Sequence, residues 1–251
     1  MDELRLTVDG RVATITIDRP ARRNAMSFEM WSALPALMAA VTSSEARVLV
    51  IRGTDHFSAG ADISEFADLR HGPEGARRYG DAVHAGERAI ASLPVPTIAA
   101  ITGFCIGGGC EIALACDIRI AATDSRFGIT PAKLGIVYNF TSTRQLVAAV
   151  GPAWAKQILF SGDLVDAPTA LRIGLVNEVV PAVGERVADL AATIASRAQV
   201  GVRAAKEIVN RIGVGQTDED AGVQALYDKA VLSDDYAEGV AAFLAKRAPN
   251  F

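Results

Sequence analysis

PTIAAITGFCIGGGCEIALACDIRIAAT, residues 96–123, is the stretch that decides the fold. Its first half is a short apolar run rich in branched side chains that ends in glycines, the pattern of a buried strand. Its second half gives a short helix, and DIRIAAT then returns to strand character. A strand running into glycines and straight into a helix leaves the first backbone N–H groups of that helix without partners, on a surface with no side chains to keep a ligand away. The spacing of Gly103, Gly107, Gly108 and Gly109 misses G-x-G-x-x-G, and no GK[ST] follows. Dinucleotide and nucleoside-triphosphate sites are therefore disfavoured.

HFSAGADISEF, residues 56–66, repeats the device, with small residues after a strand and then a helix start. Two such segments facing each other would offer a pair of N–H groups to one oxygen, the arrangement of an oxyanion hole.

Upstream, LRLTVDGRVATITID alternates on both sides of Asp9-Gly10 and predicts an antiparallel hairpin. Ser27 is placed to cap a helix carrying Trp31, Leu34, Leu37, Met38 and Val41 at helical spacing, with Pro35 inside it. RVLVIRG follows as a short apolar strand. In DAPTALRIGLVNEVV, Asp166 caps, Pro168 sits in the first turn, Gly174 ends the helix, and LVNEVV is a strand. After Pro181 only helical periodicity remains, in four segments, so the chain divides into a mixed part, 1–182, and an all-helical part, 183–251. The apolar faces of those helices are too wide for isolated solvated elements and predict packing on the core or on another subunit.

The 251 residues fit one large domain with an appendage. Half are hydrophobic and 22% charged, the 25 Lys and Arg against 29 Asp and Glu leave a formal charge of −4, and neither sign forms a run. Nucleic-acid binding is not indicated. No window has the roughly 18 apolar residues of a membrane span, and the N-terminus lacks a secretory pattern, so a cytoplasmic protein is expected. Cys105, Cys110 and Cys116 have no CxxC pairing and no neighbouring histidine. They read as small buried hydrophobes, with no metal site.

With those segments in register the chain resembles the crotonase, or enoyl-CoA hydratase/isomerase, superfamily. The likeness is carried by ITIDRPARRNAMS, FSAGADISEF, ITGFCIGGGCEIALACDIRIA, FGITPAKLG, AKQILFSGDLVDAPTALRIGLVNEVV and the terminal EGVAAFLAKRAPNF. It implies an α/β fold, a spiral of ββα turns with a C-terminal all-helical trimerisation region, and a homotrimer or dimer of trimers. It also implies acyl-CoA thioester substrates and no cofactor beyond the coenzyme A of the substrate. The implied oxyanion donors are the N–H groups of Ala61 and Gly108. Arg22, Arg23 and Lys246 are then candidates for the CoA phosphates. Ala25, Ala59, Asp62, Ile63, Pro131, Leu134 and Phe243 are expected along the bound thioester. Hydratases of this family often have lysine where this chain has Ser64.

The same likeness makes Glu111 catalytic; considered alone, a carboxylate in the first turn of a helix is favoured by the dipole by less than about 1 kcal/mol. The second family glutamate lies in a run similar to FG-x-P-E-x-x-LG. Aligning Phe127, Gly128, Leu134 and Gly135 puts Pro131 in its place, and a prolyl ring neither gives nor takes a proton.

TPAKLGIVYNF is similar to the matching stretch of methylmalonyl-CoA decarboxylases, with Tyr138 as a pocket tyrosine, although those enzymes can carry histidine at the position of Ala61. Loss of CO2 generates a thioester enolate without removal of a C–H proton, so one acid suffices. Alternatives are a hydratase with a displaced second acid, drawn for instance from residues 62–82, and a non-catalytic acyl-CoA binder. A hydrolase using Ser58, His56 and Asp62 is disfavoured because the three crowd into seven positions. His71 and His84 read as surface residues.

Overall fold

The computed structural model describes residues 3–251. β1 (Leu4–Asp9) and β2 (Val12–Ile17) form the expected hairpin, with Asp9 opposite Val12, so the two turn residues are Gly10 and Arg11, one step later than the Asp9-Gly10 signal. Gly10 has a positive φ of 54°, which glycine adopts without strain.

β3 (Val48–Gly53), β4 (Thr97–Ile101), β6 (Ile118–Ala122) and β9 (Glu178–Val180) extend the hairpin into a six-stranded sheet of order β1-β2-β3-β4-β6-β9, parallel from β2 onward. Every residue of β4 is buried, as a strand covered on both faces requires.

A smaller sheet holds β5 (Phe104–Ile106), β7 (Arg126–Gly128) and β8 (Val165–Asp166), and Ser58 bridges to Cys105 at its edge. Three successive passes thus lay a strand in the large sheet, an extended piece in the small layer, and then a helix. Their helices are α3 (Gly72–Ala91), α4 (Gly108–Ala115) and α5 (Phe140–Ser161). This is the ββα spiral.

α1 (Phe28–Thr42) packs along α3, where Gly86 admits Leu34 and Trp31; its predicted cap is formed, with Ser27 Oγ accepting from Met30 N at 3.2 Å. The one-turn α2 (Phe66–Leu69) leads into α3. α6 (Ala167–Arg172) carries its predicted cap as well, with Asp166 accepting from Thr169 N at 2.9 Å.

The four helices after Pro181 are α7 (Val183–Ala195), α8 (Gln199–Gly213), α9 (Ala221–Val231) and α10 (Asp234–Leu244). α7 is unlike the other three. Its Val183, Val187, Ala191 and Ala195 pack with Val48, Val50, Ile98 and Ile120 on one face of the large sheet. It therefore belongs structurally with the spiral, although it lies beyond the sequence boundary at 182. α10 packs chiefly on α9, and the chain end is held where Arg11 donates to Phe251 O at 2.8 Å. That contact is at the N-terminal ends of the parallel strands. Among the described residues no helix is long and apolar enough to cross a membrane.

Candidate active site

The segments that follow the C-terminal ends of β2, β3 and β4 meet at the other end of the sheet. Met26 bridges to Ala61, with Met26 N donating to Gly60 O at 2.7 Å and Asp62 N to Met26 O at 2.9 Å. Both bonds flank Ala61. Its own N–H and that of Gly108 have no protein acceptor among the described residues. Gly108 is the first residue of α4, where helical geometry supplies no acceptor.

The two backbones approach closely because they lack side chains. A Cβ on Gly60, whose φ is 95°, would stand 3.0 Å from Gly108 N and 2.7 Å from Ile106 O. One on Gly108 would stand 3.3 Å from Ala61 N and 3.5 Å from Glu111 Oε2. Two free donors and one carboxyl thus share a small region.

That region opens into a cavity of about 270 Å³. Ala59, Ala61, Ile63, Gly108, Glu111, Pro131, Leu134 and Tyr138 line it, bringing together eight of the residues singled out in the sequence. Leu134 and Ile63 are exposed at its rim. Arg22 and Arg23 are exposed and Ala25 is buried in the adjoining loop, tied to the donors by Ala59 N donating to Arg23 O at 2.9 Å.

Three expectations come out differently. The Asp62 carboxylate is turned away to Arg19, at 2.7 Å, and to Ser64, whose hydroxyl donates to it at 2.6 Å; these bonds hold its pKa below the usual carboxylate range. Phe243 and Lys246 do not join the cavity of their own chain, because α10 and the tail sit at the opposite end of the sheet. His84 is no surface residue. It lines the cavity, and its Nε2 is buried without a protein partner among the described residues. The Ser58, His56 and Asp62 set is no triad either: Ser58 Oγ donates to Asn24 O at 2.7 Å, while the His56 ring packs on Phe104.

Glu111 is buried on α4. Burial first, and the neighbouring Glu87 second, push its pKa up to about 8. Its carboxyl orientation is set by Asn139, the residue capping α5. Asn139 Oδ1 accepts from Ser142 N at 2.8 Å, which fixes the amide, so Nδ2 must face Glu111 Oε1 at 3.1 Å. Oε1 is an acceptor, and the acid proton belongs on Oε2, the oxygen nearer Gly108.

Pro131 occupies the wall where a second acid was sought. Tyr138 OH is buried without a partner among the described residues, and burial pushes its pKa well above the ordinary tyrosine value, so it remains a donor. Arg70 was missed in the sequence. Its guanidinium lies 4.4 Å from the Phe66 ring centroid and 5.4 Å from that of Tyr79, lines the cavity, and makes no ion pair among the described residues.

The whole of this frame, residues 7–251, matches the family model described as enoyl-CoA hydratase/isomerase. The chain belongs to that family. It is 37% identical to a crotonyl-CoA hydratase of Syntrophomonas wolfei, over 98% of this chain and 96% of that protein. It is 32% identical to a 2,3-dehydroadipyl-CoA hydratase of Escherichia coli, over 100% and 99%. The solved structure of an enoyl-CoA hydratase/isomerase family protein from Hyphomonas neptunium superposes with a TM-score of 0.96 at 38% identity, over 99% of this chain and 97% of that one. This family member is accordingly an acyl-CoA enzyme of the lyase class, built as a crotonase-like spiral. Both of those relatives are hydratases.

Proposed function

We propose that this enzyme decarboxylates a malonyl-type acyl-CoA. The observation that carries the reading is that Glu111 is the one carboxyl lining the cavity among the described residues, with Pro131 in the wall where a second acid was sought; burial pushes the Glu111 pKa up to about 8. At neutral pH it is an acid, whereas activation of water for hydration calls for a base.

The bond from the α-carbon to the carboxylate breaks, and its electron pair moves into the thioester to form the enolate. CO2 leaves. The oxyanion accepts from the N–H groups of Ala61 and Gly108, each such donor contributing about 10²–10³ in rate. The proton on Glu111 Oε2 passes to the α-carbon, giving the shortened acyl-CoA, and solvent reprotonates Glu111.

Tyr138 OH supplies a donor for the carboxylate before it departs. Arg70 favours an anionic acyl group over a neutral one. Binding of that kind lowers KM without accelerating the chemical step, so Arg70 has a role in recognition. Arg22 and Arg23, both exposed, with Arg23 O accepting from Ala59 N, are the candidates for the CoA phosphates. We further propose assembly as a homotrimer or dimer of trimers, in which Phe243 and Lys246 border a neighbouring copy's cavity.

Hydration is the second reading, favoured by the names of the relatives. Glu111 would then have to cycle between base and acid by itself. Incubation with methylmalonyl-CoA, ethylmalonyl-CoA and crotonyl-CoA, with products followed by mass, separates the two. Loss of 44 mass units from a malonyl-type thioester is expected; hydration of crotonyl-CoA with no CO2 from either malonyl thioester would overturn the proposal.

A further inference from the structure

Behind Glu111 lies a second carboxylate that does not touch the cavity. Glu87, on α3, is 0% exposed. It sits in the buried stripe Tyr79, Val83, Gly86, Ile90 of that helix, which packs on α4, with Ser142 of α5 against its carboxylate. Asn139 Nδ2 donates to Glu111 Oε1 and also to Ser142 Oγ, at 2.7 Å. Ser142 Oγ is thereby used as an acceptor on that side, so its proton goes to the other neighbour, Glu87 Oε1. The four residues form one continuous chain of hydrogen bonds from core to cavity.

We infer that Glu87 is a positioning residue for Glu111, a buried carboxylate that through Ser142 and Asn139 fixes the Glu111 carboxyl and keeps the pair's single proton on it. This deepens the acid role given to Glu111 above and rests on it.

Two carboxylates linked through one hydroxyl and one amide in a dry interior raise the cost of ionising each other, so the pair releases its last proton reluctantly. The surroundings decide which partner has it. Glu87 accepts the Ser142 hydroxyl, a bond that strengthens when the acceptor is charged. Burial raises the Glu87 pKa as well, and the Ser142 hydroxyl, the His84 ring and Arg88 of its own helix oppose that rise. Among the described residues Glu111 accepts only from the Asn139 amide, and it faces the cavity, where Arg70 is the nearby cation and the Tyr79 and Tyr138 hydroxyls are neutral neighbours. The proton therefore rests on Glu111, and the charge on Glu87 raises the cost of losing it.

The decisive measurement needs no substrate. Infrared spectra of the wild type should show the carbonyl band of a neutral buried carboxyl at pH 7, fading as pH rises through about 8. In Glu111→Gln that band should be absent at pH 7, because Glu87 alone remains ionised. Its persistence in Glu111→Gln, with loss in the Glu87→Gln, Glu111→Gln double variant, would put the proton on Glu87 and overturn the inference. Glu87→Gln supplies the kinetic counterpart, measured on whichever thioester is turned over. The limb on which kcat falls with rising pH should move down by about one unit, lowering kcat about tenfold above it with KM unchanged. A folded Glu87→Gln whose limb stays in place would also overturn the inference, and if that variant does not fold, the spectra of the wild type and of Glu111→Gln decide. Absence of decarboxylation would overturn the proposed reaction and leave the infrared result standing.

Discussion

Ala61 and Gly108 present their backbone N–H groups side by side, with Ala61 N only 3.3 Å from the point where a Gly108 side chain would begin. That spacing makes Gly108→Ala informative. The new methyl would also stand 2.8 Å from Trp31 Cζ2, deep under α4, so the helix start must shift and the donors separate. We expect a folded protein with kcat lower by about 10²–10³ and a smaller change in CoA affinity. Wild-type turnover in a folded Gly108→Ala protein would remove the oxyanion assignment.

Glu111→Gln should lose turnover and gain stability. Burial raises the Glu111 pKa in the folded protein from its ordinary 4.5 to about 8, so between these values the folded state holds a proton that the unfolded state has released. Stability then falls as pH rises through that window. The glutamine does not titrate. Denaturant unfolding should find the variant more stable than the wild type at pH 8, by an amount of order a few kcal/mol, with the difference shrinking toward pH 4.5. Equal pH slopes for the two proteins would contradict the raised pKa.

Pro131→Glu tests whether the missing acid is the whole difference from a two-acid hydratase. Pro131 lines the cavity at the start of a short 3-10 turn, Pro131–Leu134, so the backbone tolerates replacement there. For a decarboxylase the added negative charge should raise KM for malonyl-type thioesters and add little hydration. A gain in crotonyl-CoA hydration of about 10²–10⁴ would show instead that only the general acid was lacking.

Helices α8 to α10 leave Ile212, Leu232, Phe243 and Leu244 largely exposed, with Leu232 at 86% and Phe243 at 83%. Four large apolar side chains left exposed along this helical region mark a surface for another copy to cover. Sedimentation at micromolar concentration should give a trimer or larger, and removal of residues 235–251 should weaken assembly and CoA affinity together. A monomeric intact chain, or a truncated chain with unchanged CoA affinity, would contradict the role assigned to Phe243 and Lys246.

The features legible in the sequence were those fixed by near neighbours. The hairpin follows from alternation about a glycine, the caps at Ser27 and Asp166 from one side chain and the next turn, and the donor segment at Gly108 from a strand, glycines and a helix start within a dozen residues. Glu87 was illegible for the opposite reason. In GERAIAS it looks like half of a solvated charge pair, and only the packing of α1, α4 and α5 around α3 puts it in the core. Its position four residues after Val83 and three before Ile90 was the available signal, since that places it on the apolar stripe. His84 and Arg70 were missed because their neighbours across the cavity come from residues 106–139. Where the tail sits on its own chain went unread because Arg11 and Phe251 are 240 positions apart, and no local pattern announces such a contact.

The thiols of this chain offer a gauge of how often the scaffold breathes. Cys105 and Cys110 stand on either side of the glycine run, their sulfurs 3.9 Å apart, and both they and Cys116 are buried, with the Cys105 and Cys116 thiols held protonated by burial well beyond neutral pH. In the closed protein they are both unreachable and unreactive. An alkylating reagent can reach Cys105 and Cys110 only while β5 and the start of α4 are apart, which is when no oxyanion hole exists. The rate of labelling under native conditions is therefore the rate at which the catalytic frame itself comes undone, and a bound acyl-CoA that needs both halves of that frame must slow the labelling in proportion to its occupancy.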